Sequence, residues 1–303
     1  MLDKVPKAPK LLESGKELLN LSWRLVVDVL RAQDEDFYEQ MTQKQKNMFW
    51  KSARREFLTA HTLLVQGIEL IIKSRIASVS PLLLIERLSD GSIGENEDFC
   101  NCKTIQESVL VSCHNKVVGD SISPQFAKKF KEMLDLRNEI IHLETNKHTK
   151  IPEIKKLAND VVSDIMSVSD ELLHERWLKI REEFLEESVY IYGDKHTYAR
   201  VLLCQEFRAI KNSLSATEYG RIFHHNKKAK CYCCVKCYDA CGCTHGWEFN
   251  EYKFAVIDPK DSTKIYCPVC GNHYAYEKYK CSDNFCRGAL HADGTCLCCL
   301  EEN

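Results

Sequence analysis

Of the 17 cysteines in this 303-residue chain, 13 lie between Cys231 and Cys299, and no other feature limits the fold so strongly. The last 73 residues hold few large aliphatic side chains, and so short a segment makes a poor hydrophobic core. The total of 17 is odd, and no secretory apolar stretch follows Met1. In a reducing compartment, clustered thiols favour metal over disulfides. Two Cys-x2-Cys turns can aim four thiolates at one tetrahedral ion. The clearest turn is Cys267-Pro268-Val269-Cys270-Gly271, whose glycine allows a left-handed backbone after the second ligand. Its expected partner is Cys234-Val235-Lys236-Cys237, giving C-x2-C-x29-C-x2-C. Cys231-x2-Cys234 obeys the same rule, so the register there stays open.

Between the two turns, Trp247-Glu248-Phe249 and Lys253-Phe254-Ala255-Val256-Ile257 read as short strands. The pattern resembles a zinc ribbon. A second site is expected from Cys281, Cys286, Cys296 and Cys299, although its first step is a wider C-x4-C and Cys298 offers an alternative. His273 and His291 are further candidate ligands. Cys231, Cys233, Cys241, Cys243 and His245 remain for a third site, a variant of the first, or a redox role. The expectation is about two structural Zn2+ per chain, because four thiolates leave no open position for water or substrate.

Lysine and arginine total 42 against 44 acidic residues, a net charge of -2. That excludes a general field for steering nucleic acid; any such contact needs a local patch. From Asn226 to Asn303 the count is 10 cations and 10 anions. Tyr274, Tyr276 and Tyr279 can stack bases or pack a small sheet. No run is long enough to span a membrane, and the expected location is the cytoplasm.

The first two thirds read as helices. Leu18, Leu21, Leu25 and Val29 share one face of a helix over 11–30, with Ser14 as N-cap and Glu17 completing a capping box. The Lys/Pro-rich start, Met1 to Lys10, reads as a mobile arm. Gln43 to Ala77 reads as one long helix ended by Ser80-Pro81. Ser89 to Asn101 reads as a loop and 104–118 as a short helix. Cys100, Cys102, Cys113 and His114 in or near the loop are an alternative metal set, but their spacing matches no familiar site and the cysteines read as free thiols. Ser123-Pro124 opens a helix to His142. Pro152 opens another that is expected to run through Phe184. Four principal helices joined by turns predict an antiparallel bundle. The predicted plan is a helical domain over 1–187, a helical connector and basic hinge over 188–230, and a Cys-rich zinc domain over 231–303.

One helix carries an arginine in an unusual place. On a helical wheel from Phe126, the residues Phe130, Met133, Leu134, Ile140 and Ile141 form one apolar arc, and Arg137 lies in its middle. A guanidinium is costly to bury without partners. It must snorkel outward, face a polar cleft, or meet a second subunit. Asn138 and His142 are four residues apart and hence neighbours. Arginine can grip a phosphate through paired hydrogen bonds, and histidine can move a proton near neutral pH.

The run Arg137-Asn138-x3-His142 resembles the motif of the HEPN superfamily, Arg-x4–6-His with a polar residue after the arginine. An earlier helix, Phe57 to Leu64 followed by Gly67 to Lys73, looks like the second HEPN helix. The likeness covers about residues 15–187. It implies a helical bundle, a homodimer whose motifs meet across the interface, and metal-independent cleavage of RNA, with Arg137, Asn138 and His142 as catalytic residues. Many members are toxins or anti-phage defence effectors; others only bind. The competing expectation is therefore a non-catalytic dimerisation or ligand-binding module whose zinc domain contacts protein or nucleic acid. Glu69 reads as a surface partner of Lys73, and Arg55-x5-His61, mid-helix, reads as a chance match to the same motif.

Overall fold

The computed structural model describes residues 4–34, 36–86, 98–142, 150–188, 195–241 and 253–302; the side chains of Cys100, Ile141 and His142 lie outside that description. Among the described residues the chain is mainly helical, with short antiparallel strands and cysteine clusters in its C-terminal region. It forms two compact units: Met1–Val29 with Phe37–Glu175, and Leu30–Asp36 with Arg176–Asn303. The division falls ahead of the boundary at 187 that the sequence suggested.

The first unit holds α1 (Ala8–Gln33) up to Val29, α2 (Asp36–Gln40), α3 (Gln43–Val79), α4 (Glu107–Val117), α5 (Pro124–His142) and α6 (Ile151–Val168). Thr42 caps α3 in a capping box, its hydroxyl accepting the Gln45 N–H while Gln45 Oε1 accepts the Thr42 N–H at 2.8 Å. Two such reciprocal bonds satisfy orphan donors of the first turn. On α1, Ser14 lies inside the helix and is no cap; the expected arm is already helical at Ala8, and Lys4 pairs with Asp98 at 2.5 Å.

Two glycines set how closely α1 and α3 approach. A Cβ on Gly15 would stand 2.7 Å from Ile71 Cγ1 and 3.0 Å from the Gly67 carbonyl oxygen, and one on Gly67 would stand 3.0 Å from the Gly15 carbonyl oxygen. Ser22 Oγ donates to the Ala60 carbonyl at 2.7 Å in the same contact. Leu19, Trp23, Phe57, Leu64, Ile68, Phe130 and Ile165 fill the core, each large side chain contributing about 1.5–3 kcal/mol. His61 belongs to this core. Its Nε2 lies 3.0 Å from the Met133 carbonyl, and burial lowers its pKa. Its sequence companion Arg55 is exposed.

The helix opened by Pro152 does not continue to Phe184. It ends at Val168, passes through a π-helical turn at Ser169–Leu173, and breaks at His174, whose φ is 53°. From Arg176 onward the chain belongs to the second unit: α7 (Trp177–Glu186), α8 (Lys195–Ser213), α9 (Ala216–Phe223), β1 (Tyr232–Cys233), α10 (Val235–Cys241), β2 (Lys253–Ile257), β3 (Lys264–Tyr266), β4 (His273–Ala275), β5 (Glu277–Lys278), β6 (Leu290–Ala292) and β7 (Thr295–Cys296). Strands β1-β2-β3-β4 make one antiparallel sheet and β5-β6-β7 another. The expected strand at 247–249 lies outside the described residues.

The stretch read as a connector is this unit's core. Phe207 of α8 meets Phe223 and Phe254 edge-on, each at 5.1 Å between centroids. Arg181 of α7 and Glu206 of α8 form a buried ion pair at 2.6 Å. The basic stretch 224–230 is solvated only in part: His224, Lys228 and Lys230 are exposed, but two of its residues are anchored. His225 is buried, its Nε2 2.8 Å from the Tyr219 hydroxyl and its Nδ1 2.9 Å from the Phe223 carbonyl, and Lys227 donates to the Leu214 carbonyl. Among the described residues no helix is long and apolar enough to cross a membrane.

Candidate functional site

The fold brings eight thiols together in two groups of four. Cys234 and Cys237, on the turn into α10 and in α10 itself, meet Cys267 and Cys270 from the turn after β3; Cys281 and Cys286 meet Cys296 and Cys299. Within each group the sulfurs lie within 4.8 Å of one another, close enough to hold a metal ion. The closest approaches are 3.6 Å for Cys234–Cys270, 3.8 Å for Cys237–Cys267, 3.6 Å for Cys281–Cys299 and 3.8 Å for Cys286–Cys296.

Both turns need glycine. Gly271 has φ 72°, and a Cβ there would lie 1.6 Å from Arg176 Nη1. That guanidinium clamps the turn by donating to the Pro268 and Val269 carbonyls. In the second group a Cβ on Gly288 would lie 2.6 Å from Cys296 Sγ, while the Gly288 N–H donates to Cys286 Sγ at 3.2 Å. Such N–H···S contacts favour thiolate over thiol.

Charge in the first group supports a bound cation. Hydrogen bonds from Cys204 and then Cys234 hold the Cys237 thiol well below its ordinary value, and Cys234 draws Cys270 down to about 7. Their neighbours move the other way: Cys234 rises chiefly through Cys237, and Cys267 chiefly through burial. Four adjacent sulfurs cannot all ionise without a positive partner, and a divalent ion removes that conflict. Arg200 of α8 offers a partial answer, with Nη1 3.7 Å from Cys237 Sγ. Among the described residues no oxygen or nitrogen partners the buried Tyr274 hydroxyl, and Cys234 is the sulfur it faces. The hydroxyl's pKa is raised by burial and then by the charge of Cys234, so a thiolate there would accept its O–H.

The remaining candidates fall outside both groups. Cys231, the alternate ligand, bonds the Ala229 carbonyl at 3.4 Å and lies 3.3 Å from Lys211 Nζ. Cys233 donates to the Cys298 carbonyl at 3.5 Å. His273 Nδ1 is taken by Asp258 at 2.7 Å. His291 is buried and stacked on Tyr279 at 3.8 Å. Cys102 donates to the Asp98 carbonyl at 3.8 Å; Cys102, Cys113 and Cys241 form no disulfide, and Cys243 and His245 lie outside the described residues.

In the first unit Arg137 is 8% exposed, and among the described residues a single protomer supplies it with three partners. Nη1 donates to Glu69 Oε1 at 2.6 Å and to Glu107 Oε1 at 3.2 Å. Nη2 donates to Glu107 Oε2 and to Asn138 Oδ1, each at 2.9 Å, and Nε donates to Asn138 Oδ1 at 3.3 Å. The expectation that a lone subunit leaves this arginine poorly satisfied is therefore corrected. So is the reading of Glu69, which is buried against Arg137 instead of lying on the surface as a partner of Lys73.

Two carboxylates share one guanidinium, and Lys73 adds a further positive charge that acts on Glu69. Burial opposes the Arg137 charge, yet the hydrogen bond to Glu107 and the charges of both acids raise its pKa. Glu69 also moves up, first because it is buried and then because Glu107 is near; Arg137 offsets only part of this. Beside the cluster a groove of about 390 Å³ runs between α4 and α5, lined by Glu107, Val111, Phe130, Lys131, Leu134 and Asn138. Asn138 is exposed there. His142 lies one turn further along α5, and its side chain is outside the description.

No family model, curated protein or solved structure matches the chain.

Sequence reasoning missed Glu107 and Arg176. Glu107 is one of many acids at a helix start, and Arg176 one of many basic residues before a helix. Neither carries a local signal, because each acts on residues at least 30 positions away.

Proposed function

We propose that the chain is a zinc-bearing endoribonuclease in which Arg137, Asn138 and His142 carry a metal-independent cleavage and each four-cysteine group holds one structural Zn2+. All-thiolate tetrahedral sets suit zinc and leave no position for a substrate. The observation that carries the nuclease reading is Arg137 itself: a nearly buried guanidinium whose partners Glu107 and Asn138 line a groove, with His142 one helical turn further along α5. Glu107 grips it with both carboxylate oxygens, as two oxygens of a phosphate would. Glu107 Oε2 lies 2.9 Å away on a side chain 41% exposed, so an RNA phosphate can replace it without dismantling the core.

In this chemistry the substrate's 2′-oxygen attacks phosphorus and gives its proton to the His142 imidazole, which acts near neutral pH. Arg137 balances the charge gathering on the non-bridging oxygens. The bond from phosphorus to the 5′-oxygen breaks, and that oxygen takes up a proton. The products are a 2′,3′-cyclic phosphate and a 5′-hydroxyl end. One imidazole serves one oxygen at a time, and a homodimer would bring the second. Free thiols and thiolate metal sites fit a reducing cytoplasm.

The completeness of the Arg137 bonding favours a second reading. Here the cluster is structural, the helical unit is a binding or dimerisation module, and the Cys-rich unit makes the contacts. Total RNA incubated with the purified chain separates the two. Cleavage that survives EDTA, spares DNA and falls about 10²-fold or more in His142→Ala supports the nuclease. Cleavage that persists in a His142→Ala, Arg137→Ala double variant removes it.

A further inference from the structure

Phe285 is 97% exposed. It sits at the tip of the loop between two thiols of the second group, Cys281 and Cys286. A single exposed hydrophobe is ordinary. What sets this one apart is how firmly it is held and what surrounds it. Asp283 Oδ1 accepts the Phe285 N–H at 2.9 Å, and the Asp283 carbonyl accepts the Cys286 N–H at 3.1 Å. The Cys281 N–H closes the loop onto the Gly288 carbonyl at 3.2 Å. The ring is thus presented on a short turn fixed at both ends.

Cations and a second ring flank it in sequence. Lys278, Lys280 and Arg287 are all exposed. Tyr279 packs one face on His291, at 3.8 Å and 9° between planes, and is itself 37% exposed. Tyr276 lies under Lys278, with Nζ 5.7 Å from the ring centroid. The acids of this stretch are Glu277 and Asp283, and Asp283 uses its carboxylate within the turn. Rings interleaved with cations fit a chain of stacked bases joined by phosphates. A membrane-binding face needs a broad apolar surface. Here the neighbours of Phe285 are Ser282, Asp283, Asn284 and Arg287.

We infer that this loop is a binding site for single-stranded nucleic acid, with Phe285 stacking on a base and Lys280 and Arg287 meeting the adjacent phosphates. It rests on the nuclease reading only for RNA as the natural ligand; the stacking surface would act whether or not the helical unit cuts.

The test uses the full chain with its metal and a fluorescent 2′-O-methyl oligouridylate, which lacks the free 2′-hydroxyl and so cannot be cleaved by the route above. Anisotropy should show binding by the wild type, weakened roughly 5- to 100-fold in Phe285→Ala, the loss expected for one stacked base, and largely kept in Phe285→Trp. The double variant Lys280→Ala, Arg287→Ala should bind more weakly and flatten the salt dependence by a slope of about 1.4, two phosphate contacts on a single strand. Metal content should be unchanged in all of them. No binding at low salt, or equal affinity in Phe285→Ala with full metal content, overturns the site. So does a double variant that loses metal while its remaining holoprotein binds normally, since the cations then only balance thiolate charge. Association with anionic vesicles that Phe285→Ala abolishes, with oligonucleotide binding untouched, would assign the loop to a membrane instead.

Discussion

The two units face one problem, charge buried away from water, and answer it differently. The helical unit neutralises Arg137 with its own side chains, Glu69 and Glu107, drawn from α3 and α4. The Cys-rich unit gathers eight thiols and supplies few cations to match them; Arg200 beside Cys237 is the clearest. The first arrangement is self-contained. The second brings together thiols in sets that could each hold a metal ion. Stability should therefore depend on solution chemistry in one unit and on covalent sequence in the other.

Metal removal should have the largest effect. Structural Zn2+ contributes about 10–16 kcal/mol to folding in zinc-finger peptides. A strong chelator, or Cys267→Ser with Cys270→Ser, should make the region after Arg176 sensitive to protease while α3 to α6 resist. Elemental analysis should find about two Zn per chain, from eight thiolates in two sets. Equal sensitivity of both units would break the contrast.

Next is Arg137→Ala. It leaves two acids facing each other, one buried, and should cost about 3 kcal/mol, the lower end for a broken buried pair because Glu107 is partly screened by solvent. Urea midpoints would read it. A loss below about 0.5 kcal/mol, typical of a neutral surface change, would show that the cluster does not hold the bundle together.

Glu107→Ala sharpens the functional side. If Glu107 occupies the place of a phosphate, removing it should raise RNA cleavage roughly tenfold, about the worth of one charge-assisted hydrogen bond. The variant should still carry the Glu69 pair, so only modest destabilisation is expected. Reduced cleavage in a folded variant would instead make Glu107 part of the working site.

The smallest effect concerns pH. Glu69 has a folded pKa above its ordinary 4.5, so the folded chain binds its proton more tightly than the unfolded chain. That contribution is complete below about pH 4.5 and is lost as pH rises through the folded pKa. Glu69→Gln imitates the protonated form. Its stability relative to wild type should thus grow from about pH 4 to about pH 8, measured by urea unfolding at each. A difference that shrinks over that range would mean Arg137 dominates Glu69 after all.

The cysteine sets were legible in the sequence because ligand spacing is local. A two-residue gap fixes where two sulfurs can point, and glycine after the second ligand marks the turn. The choice between Cys231 and Cys237 was not legible: both obey the spacing rule with Cys234, and only the start of α10 at Val235 turns Cys237 toward Cys267. Helix periodicity likewise placed α3 and α5 to within a few residues. It could not assign α7 and α8 to a unit, because an apolar stripe reports that a face is buried and never against what. Phe207 reads the same in either place; its contact with Phe254 decides.

Arg137 shows the same limit at the candidate site. The sequence determined that a charge stands on an apolar arc and must be compensated. Whether a second subunit, a ligand or the chain itself compensates it was decided by tertiary structure, since Glu69 and Glu107 lie 68 and 30 residues away along the chain. Spacing rules act through a few rigid bonds, whereas ion pairing across helices depends on how whole elements pack, and no local pattern encodes that.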